Sequence, residues 1–141
     1  MKKKICVILA DYYPDISEML VEGSFRELKA AEKANIIEIG GAPIHVPGIF
    51  EIPVTISKLI KEYDAFVALG CVIKGKTPHF NLISKAVVNA IMDLSIRNKK
   101  PIGNGIITCL NKKQAVERAN PDKKNKGGEA VTAVLATLAN F

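Results

Sequence analysis

His79 is one of two histidines among the 141 residues, and the segment before it, 74–78, contains glycine, threonine and two lysines. An imidazole can accept and donate a proton near neutral pH, as general acid–base catalysis requires. Lys76 and Thr77 can offer backbone N–H groups and a hydroxyl at the start of the next helix, where the helix dipole favours a phosphate. We therefore predict proton transfer beside a bound phosphate. The alternative is that His79 begins a helix without a chemical role.

The other polar candidates lie where predicted strands end, because ligands of open parallel sheets bind beyond the carboxyl ends of the strands. Four strands are predicted, at Ile5–Ala10, Asn35–Ile39, Ala65–Ile73 and Ile102–Cys109, and the first and third are continuous apolar runs typical of buried strands. The third run is the strongest and predicts the central strand. The residues that follow these strands are Asp11, Tyr12, Tyr13, Glu51, Lys74 to His79, and Cys109 to Asn111.

Helix signals occur between and after the strands. Asp15 with Glu18 predicts a capping box at the first helix, and Asn111 with Gln114 predicts the start of the fourth. Gly40–Gly48 is so rich in proline and glycine that it predicts only a loop. The remaining predicted helices span about Glu51–Lys61, Phe80 onward, and Glu129–Ala139.

This alternation predicts a doubly wound α/β sandwich, in which a central four-stranded parallel sheet has helices on both faces. The helix from Phe80 carries a second apolar stripe at Val88 and Met92. That stripe packs either on a further helix or on another subunit. No linker or repeat interrupts the pattern, so we expect a single domain over residues 1–141.

Composition narrows the classes of function. The net charge is +6 and the isoelectric point is about 9.3, but the lysines form short separate clusters, and tryptophan is absent. Nucleic acid binding is therefore not favoured, and a small phosphorylated substrate explains the charge equally well. No apolar run reaches membrane-spanning length, so no membrane partner is expected.

The three cysteines, Cys6, Cys71 and Cys109, lie within apolar runs and form no CxxC pair. Buried free thiols in a reducing compartment are the expected state, and a metal site is not indicated. Since Ile5–Ala10 is too short for the core of a signal peptide, we expect a cytoplasmic protein.

Three segments together match a known family: Val46–Pro53, Leu69–Phe80, and Gln114–Ala119 followed by Asn125–Gly127. They read VPGIFEIP, LGCVIKGKTPHF, QAVERA and NKG, in the family's order over nearly the whole chain. The chain resembles the lumazine synthase family, which implies a flavodoxin-like fold. It also implies condensation of 5-amino-6-(D-ribitylamino)uracil with 3,4-dihydroxy-2-butanone 4-phosphate, which gives 6,7-dimethyl-8-ribityllumazine, phosphate and water.

The resemblance further implies no cofactor or metal, and sites formed between subunits of a homo-oligomer. A pentamer is favoured over a 60-subunit shell, because segment 120–124 lacks the glycine-bounded turn associated with shells.

For the site, the resemblance implies His79 as the catalytic residue and Arg118 as the phosphate-binding fork, assisted by Lys76, Thr77 and Lys126. From the residues alone, Arg118 would be a solvated cation at a helix end. The pyrimidine and ribityl chain would be bound by Tyr12, Ile49, Phe50, Glu51, Cys71, Val72, Ile73 and Asn104.

Three positions depart from the usual family pattern, which has Arg at Asp11, Phe at Asn104 and Glu at Leu110. Tyr12 stands where a stacking Phe is usual, and either ring offers an aromatic face.

The remaining histidine, His45, is expected to have no chemical role. Two alternatives stay open: an archaeal-type riboflavin synthase, and a non-catalytic protein that binds flavin or lumazine.

Overall fold

The computed structural model describes residues 2–75 and 79–141. Its elements alternate as the sequence predicts. The strands are β1 (Lys3–Ala10), β2 (Ile37–Ile39), β3 (Ile44–Val46), β4 (Ala65–Ile73) and β5 (Ile102–Cys109). The helices are α1 (Pro14–Lys33), α2 (Ile52–Leu59), α3 (His79–Asn98), α4 (Lys112–Ala119) and α5 (Lys126–Leu138), and a 3₁₀ turn at Ile49–Glu51 precedes α2.

All strand pairs are parallel, in the order β2-β1-β4-β5, with β3 also paired to β1. β4 lies inside the sheet, as its unbroken apolar sequence predicts, and its first seven residues are buried. One apolar cluster packs α1, α4 and α5 against one face of the sheet. A second cluster packs α2 and α3 against the other face. The predicted doubly wound sandwich with helices on both faces is confirmed.

The prediction that Gly40–Gly48 forms only a loop is wrong, because it contains β3. β2 pairs with β1 only over Lys3–Ile5, so it leaves the carboxyl end of β1 open on that side. β3 pairs with Ile8–Ala10 there and satisfies backbone groups that would otherwise lack partners. The sheet therefore has five strands where the sequence predicted four.

Two predicted helix starts are also wrong. Tyr13 is the N-cap of α1 and Pro14 is in its first turn, since the fixed φ of proline suits that position. The Asp15 carboxylate accepts a hydrogen bond from the Ile16 N–H instead of forming a capping box. α5 begins at Lys126 rather than Glu129, because the Asn125 side chain accepts a hydrogen bond from the Gly128 N–H.

The predicted start of α4 is confirmed. Asn111 Oδ1 accepts a hydrogen bond from the Gln114 N–H at 2.8 Å, and Gln114 Oε1 accepts one from the Leu110 N–H at 2.8 Å. We predict that Asn111→Ala lowers the free energy of unfolding by about 1 kcal/mol, the usual effect of losing such a cap. Urea unfolding measures this. Asn111→Asp keeps an acceptor oxygen and should stay near wild type, so equal losses in both variants would contradict the capping role.

Candidate active site

One depression lies at the carboxyl ends of β1 and β4. We call it the aromatic cleft, and its volume is about 340 Å³. It brings together seven residues that the sequence placed in the site, namely Tyr12, Ile49, Phe50, Cys71, Val72, Ile73 and His79. Five further residues line it, namely Tyr13, Gly48, Gly75, Phe80 and Ile83. Sequence reasoning placed Tyr13 and Gly75 after predicted strands but gave none of the five a role. Gly48, Gly75 and Phe80 lie inside the family segments, and Tyr13 adjoins Tyr12, so those signals were available.

Gly70 allows the wall at Ile49 to approach the sheet. A Cβ atom at Gly70 would lie 2.8 Å from Ile49 Cγ2 and 3.1 Å from the Ala10 Cβ. Ile49 is buried against the sheet. The neighbouring Phe50 ring is 65% exposed. Close packing of Ile49 thus holds one wall of the cleft, whereas the aromatic ring beside it remains accessible.

Glu51 does not line the aromatic cleft. Its Oε1 accepts a hydrogen bond from the Gly48 N–H at 2.9 Å, and its carbonyl accepts one from the Thr55 hydroxyl at 2.8 Å. In this arrangement Glu51 holds the turn that carries Ile49 and Phe50. Its predicted contact with ribityl hydroxyls remains a prediction.

A second depression, the cationic cleft, has a volume of about 640 Å³ beside β5, α4 and α5. Arg118, Lys124 and Lys126 line it together with Asn104, Ile106, Ile107, Thr108, Gln114, Glu117 and Glu129. Arg118 Nη1 donates a hydrogen bond to the Thr108 carbonyl at 2.6 Å. Lys126 Nζ forms an ion pair with Glu129 Oε2 at 3.2 Å. The cleft therefore offers cationic groups to an anion, and Glu129 competes for one of them.

Apart from Glu51, which lines neither cleft, the described site residues divide between these two clefts, which share no lining residue among those described. His79 lies in the aromatic cleft, whereas Arg118, Lys126 and Asn104 lie in the cationic cleft. Lys76 and Thr77 fall outside the described residues. Within one copy of the chain, His79, the predicted proton carrier, and Arg118, the predicted phosphate-binding residue, thus line different clefts.

Cys71 lies under the aromatic cleft, and Cys109 lies nearer the cationic cleft, where its Sγ is 4.0 Å from Arg118 Nη1. All three cysteines are free and buried, as the sequence predicts. Burial raises the pKa of Cys71 to about 12, and the neighbouring Cys109 thiol contributes to this shift. Since the thiolate is the nucleophilic form, Cys71 is not a nucleophile at neutral pH. Its backbone remains available for hydrogen bonds.

The raised pKa of Cys71 predicts a loss of stability at alkaline pH. An unfolded thiol loses its proton from its ordinary pKa of 9.0 upward, whereas the folded thiol keeps its proton until about 12. The free energy of unfolding should therefore fall as pH rises above 9. We expect this contribution to amount to about 1 kcal/mol by pH 10. Urea unfolding at pH 8 and pH 10 should show a smaller fall in Cys71→Ser than in wild type, and equal falls would contradict the prediction.

The described ranges 2–75 and 79–141 give no support for a metal site or for a membrane-spanning helix. They contain no group of three or more His, Cys, Asp or Glu residues that could hold a metal ion. None of the helices in those ranges is long and apolar enough to span a bilayer.

The doubly wound parallel sheet, with an aromatic cleft at the carboxyl ends of its strands, defines a flavodoxin-like α/β protein. A model of the 6,7-dimethyl-8-ribityllumazine synthase family matches residues 2–141. The chain belongs to the 6,7-dimethyl-8-ribityllumazine synthase family, which confirms the resemblance seen in the sequence.

Individual relatives agree with this assignment. The 6,7-dimethyl-8-ribityllumazine synthase 1 of Rhodopseudomonas palustris is 42% identical, and the alignment covers 96% of this chain and 83% of the relative. A 6,7-dimethyl-8-ribityllumazine synthase of Paenarthrobacter aurescens is 41% identical, over 98% of this chain and 84% of the relative. One from Bartonella henselae is 42% identical, over 98% of this chain and 88% of the relative.

Proposed function

We propose that this protein condenses 5-amino-6-(D-ribitylamino)uracil with 3,4-dihydroxy-2-butanone 4-phosphate to form 6,7-dimethyl-8-ribityllumazine. The observation that carries the proposal is the aromatic cleft, where His79 lies beside two tyrosines and the edge of β4. The backbone of β4 at Cys71–Ile73 can hydrogen-bond a pyrimidine edge, and the Tyr12 ring offers a face for stacking. The name shared by the relatives supports the same reaction.

The proposed mechanism depends mainly on holding two reactants in register. The amine of the pyrimidine attacks the ketone, water leaves and an imine forms. Phosphate is then eliminated. The nitrogen that carries the ribityl chain attacks the remaining carbonyl, and loss of a second water closes the ring to give the lumazine. Orientation of two reactants can supply up to about 7–11 kcal/mol, so one acid–base group, His79, is sufficient to move protons between these steps.

We further propose that each complete site forms between two copies of the chain, so that the cationic cleft of one faces the aromatic cleft of the next. Two observations support this. His79 and Arg118 line different clefts of one copy. In addition, large apolar side chains near the aromatic cleft are exposed, including Tyr12, Phe50, Val54 and Leu82. A contiguous exposed apolar surface usually marks an interface.

A cyclic pentamer is the favoured assembly, and a 60-subunit shell is the alternative. A head-to-tail contact joins two different surfaces and forms a ring when the rotation between subunits closes, and the two clefts suit such a contact. The stripe at Val88 and Met92 lines a groove of about 210 Å³ between α3 and α5, so it is available to another subunit. Light scattering distinguishes five subunits from sixty.

We place the reaction in the cytoplasm, where the three buried thiols would stay reduced.

The direct test of the activity is to mix both substrates with the protein and follow lumazine fluorescence. Formation of lumazine supports the proposal. Bound flavin without any product would instead favour the non-catalytic binder. Conversion of added lumazine to riboflavin would favour the archaeal-type riboflavin synthase.

Subunit mixing tests the shared site. His79→Ala removes one half of a site and Arg118→Ala removes the other half, so each variant alone should be impaired. When the two variants are refolded together in equal amounts, roughly a quarter of the interfaces should combine an intact His79 with an intact Arg118. Activity well above that of either variant supports the shared site, and activity equal to their average contradicts it.

A further inference from the structure

The turn that carries Tyr12 must hold an aromatic ring that has little packing of its own. The Tyr12 side chain is 69% exposed. Its ring contacts the Tyr13 ring edge-on, with centroids 4.9 Å apart and an interplanar angle of 77°. Tyr13 is half-buried and packs on the core. The direction of the Tyr12 ring therefore depends on how firmly the turn between β1 and α1 is held.

A hydrogen bond between two side chains holds this turn on its N-terminal side. His45 Nδ1 donates to Asp11 Oδ2 across 3.2 Å, and the Asp11 backbone N–H donates to the Val46 carbonyl across 3.0 Å. Both links join the end of β1 to β3. The chain that leaves β3 forms the opposite wall of the aromatic cleft at Gly48–Phe50. The Asp11–His45 pair thus connects the Tyr12 turn to the facing wall.

An ion pair holds the turn on its C-terminal side. Lys112 Nζ lies 2.7 Å from Asp15 Oδ2, which joins the first turn of α1 to the first turn of α4. The hydrogen bond from Lys112 holds the pKa of the Asp15 carboxyl below its usual range, so this carboxylate keeps its charge. The aromatic pair Tyr12–Tyr13 is therefore flanked by carboxylates that are each tied to a different element.

We propose that the Asp11–His45 hydrogen bond and the Asp15–Lys112 ion pair form one positioning device, which orients the Tyr12 ring as the stacking platform for the pyrimidine substrate. This proposal rests on the proposed function. None of the four residues lines the aromatic cleft, so they act through the tyrosines and are positioning residues. Because both pairs are exposed, each contributes modestly, and the Asp15–Lys112 ion pair should weaken as the salt concentration rises.

The test uses Asp11→Asn and His45→Ala in the full-length protein. Each should raise KM for the ribitylaminouracil about two- to fivefold, the range expected for an exposed pair of polar side chains. In contrast, kcat and KM for the butanone phosphate should stay at the wild-type values. The double variant should be no worse than either single variant, because both remove the same interaction. Asp15→Asn, which breaks the other pair, should change KM in the same direction.

Two controls distinguish the positioning role from a purely structural role. Asp93→Asn breaks an exposed ion pair of 2.9 Å with Arg97 on α3, remote from the turn, and should leave KM unchanged. The exchange variant Asp11→His/His45→Asp restores the pair in reverse and should recover most of the pyrimidine affinity. Additive single effects, or a failure of the exchange variant to recover affinity while Asp11→Asn is impaired, would overturn the positioning role.

Different results would contradict the proposed function and the positioning device. If the wild-type protein forms no lumazine from the two substrates, the function is wrong. If the protein forms lumazine and Tyr12→Ala loses pyrimidine affinity, but Asp11→Asn behaves as Asp93→Asn does, only the positioning device is wrong.

Discussion

His79→Ala should lower kcat by about 10²- to 10⁴-fold, the usual contribution of a general acid–base group. Turnover should continue at a reduced rate, because orientation of the two reactants does not depend on this side chain. His79 begins α3 and lines the aromatic cleft beside the tyrosines and β4, so its loss removes the only described imidazole of that cleft. Stopped-flow fluorescence of lumazine formation at saturating substrates measures the effect.

A matched variant separates proton transfer from hydrogen bonding. His79→Gln keeps a polar group of similar reach but cannot exchange a proton near neutral pH. It should therefore be about as slow as His79→Ala, and added imidazole should partly restore both variants. Complete loss of activity in His79→Ala, with both substrates still bound, would contradict a reaction driven mainly by orientation.

Arg118→Ala should raise KM for the butanone phosphate about ten- to a hundredfold, because a hydrogen bond to a charged group contributes about 1.5–3 kcal/mol. The affinity for the ribitylaminouracil should change little, since Arg118 lies in the cationic cleft and not beside the tyrosines. Steady-state kinetics with each substrate varied in turn measures the two values. The KM for the phosphate substrate should also rise with ionic strength in wild type and less so in the variant.

Two controls accompany Arg118→Ala. Arg118→Lys keeps the charge but loses the planar fork, so it should give an intermediate KM. Arg97→Ala removes an exposed arginine from α3, outside both clefts, and should leave KM unchanged. Arg118 also donates to the Thr108 carbonyl, so the melting temperature of each variant must be compared with that of wild type. An unchanged KM in a folded Arg118→Ala protein would remove Arg118 from the phosphate site.

Predictions succeeded where the signal lies within a short stretch of sequence, and failed where a feature depends on residues far apart in the chain. The predicted bounds of β4 and β5 agree with those observed. β4 was the clearest, because burial on both faces requires apolar residues along the strand. The Asn111 cap was predictable, since its hydrogen bond joins residues three positions apart. In contrast, β3 was missed because its pairing depends on the short length of β2, which no local pattern in Gly40–Gly48 reports.

The sequence by itself determined the alternation of strands and helices, the family, and the list of candidate residues, because these depend on residue types and spacing. Only the tertiary structure decided how those residues group. It gathers Tyr12, Phe50 and His79 in one cleft, puts Arg118 in another, and pairs Asp11 with His45 across 34 positions of the chain. Such contacts arise where the carboxyl ends of parallel strands meet, and they join residues whose separation in sequence carries no periodic signal.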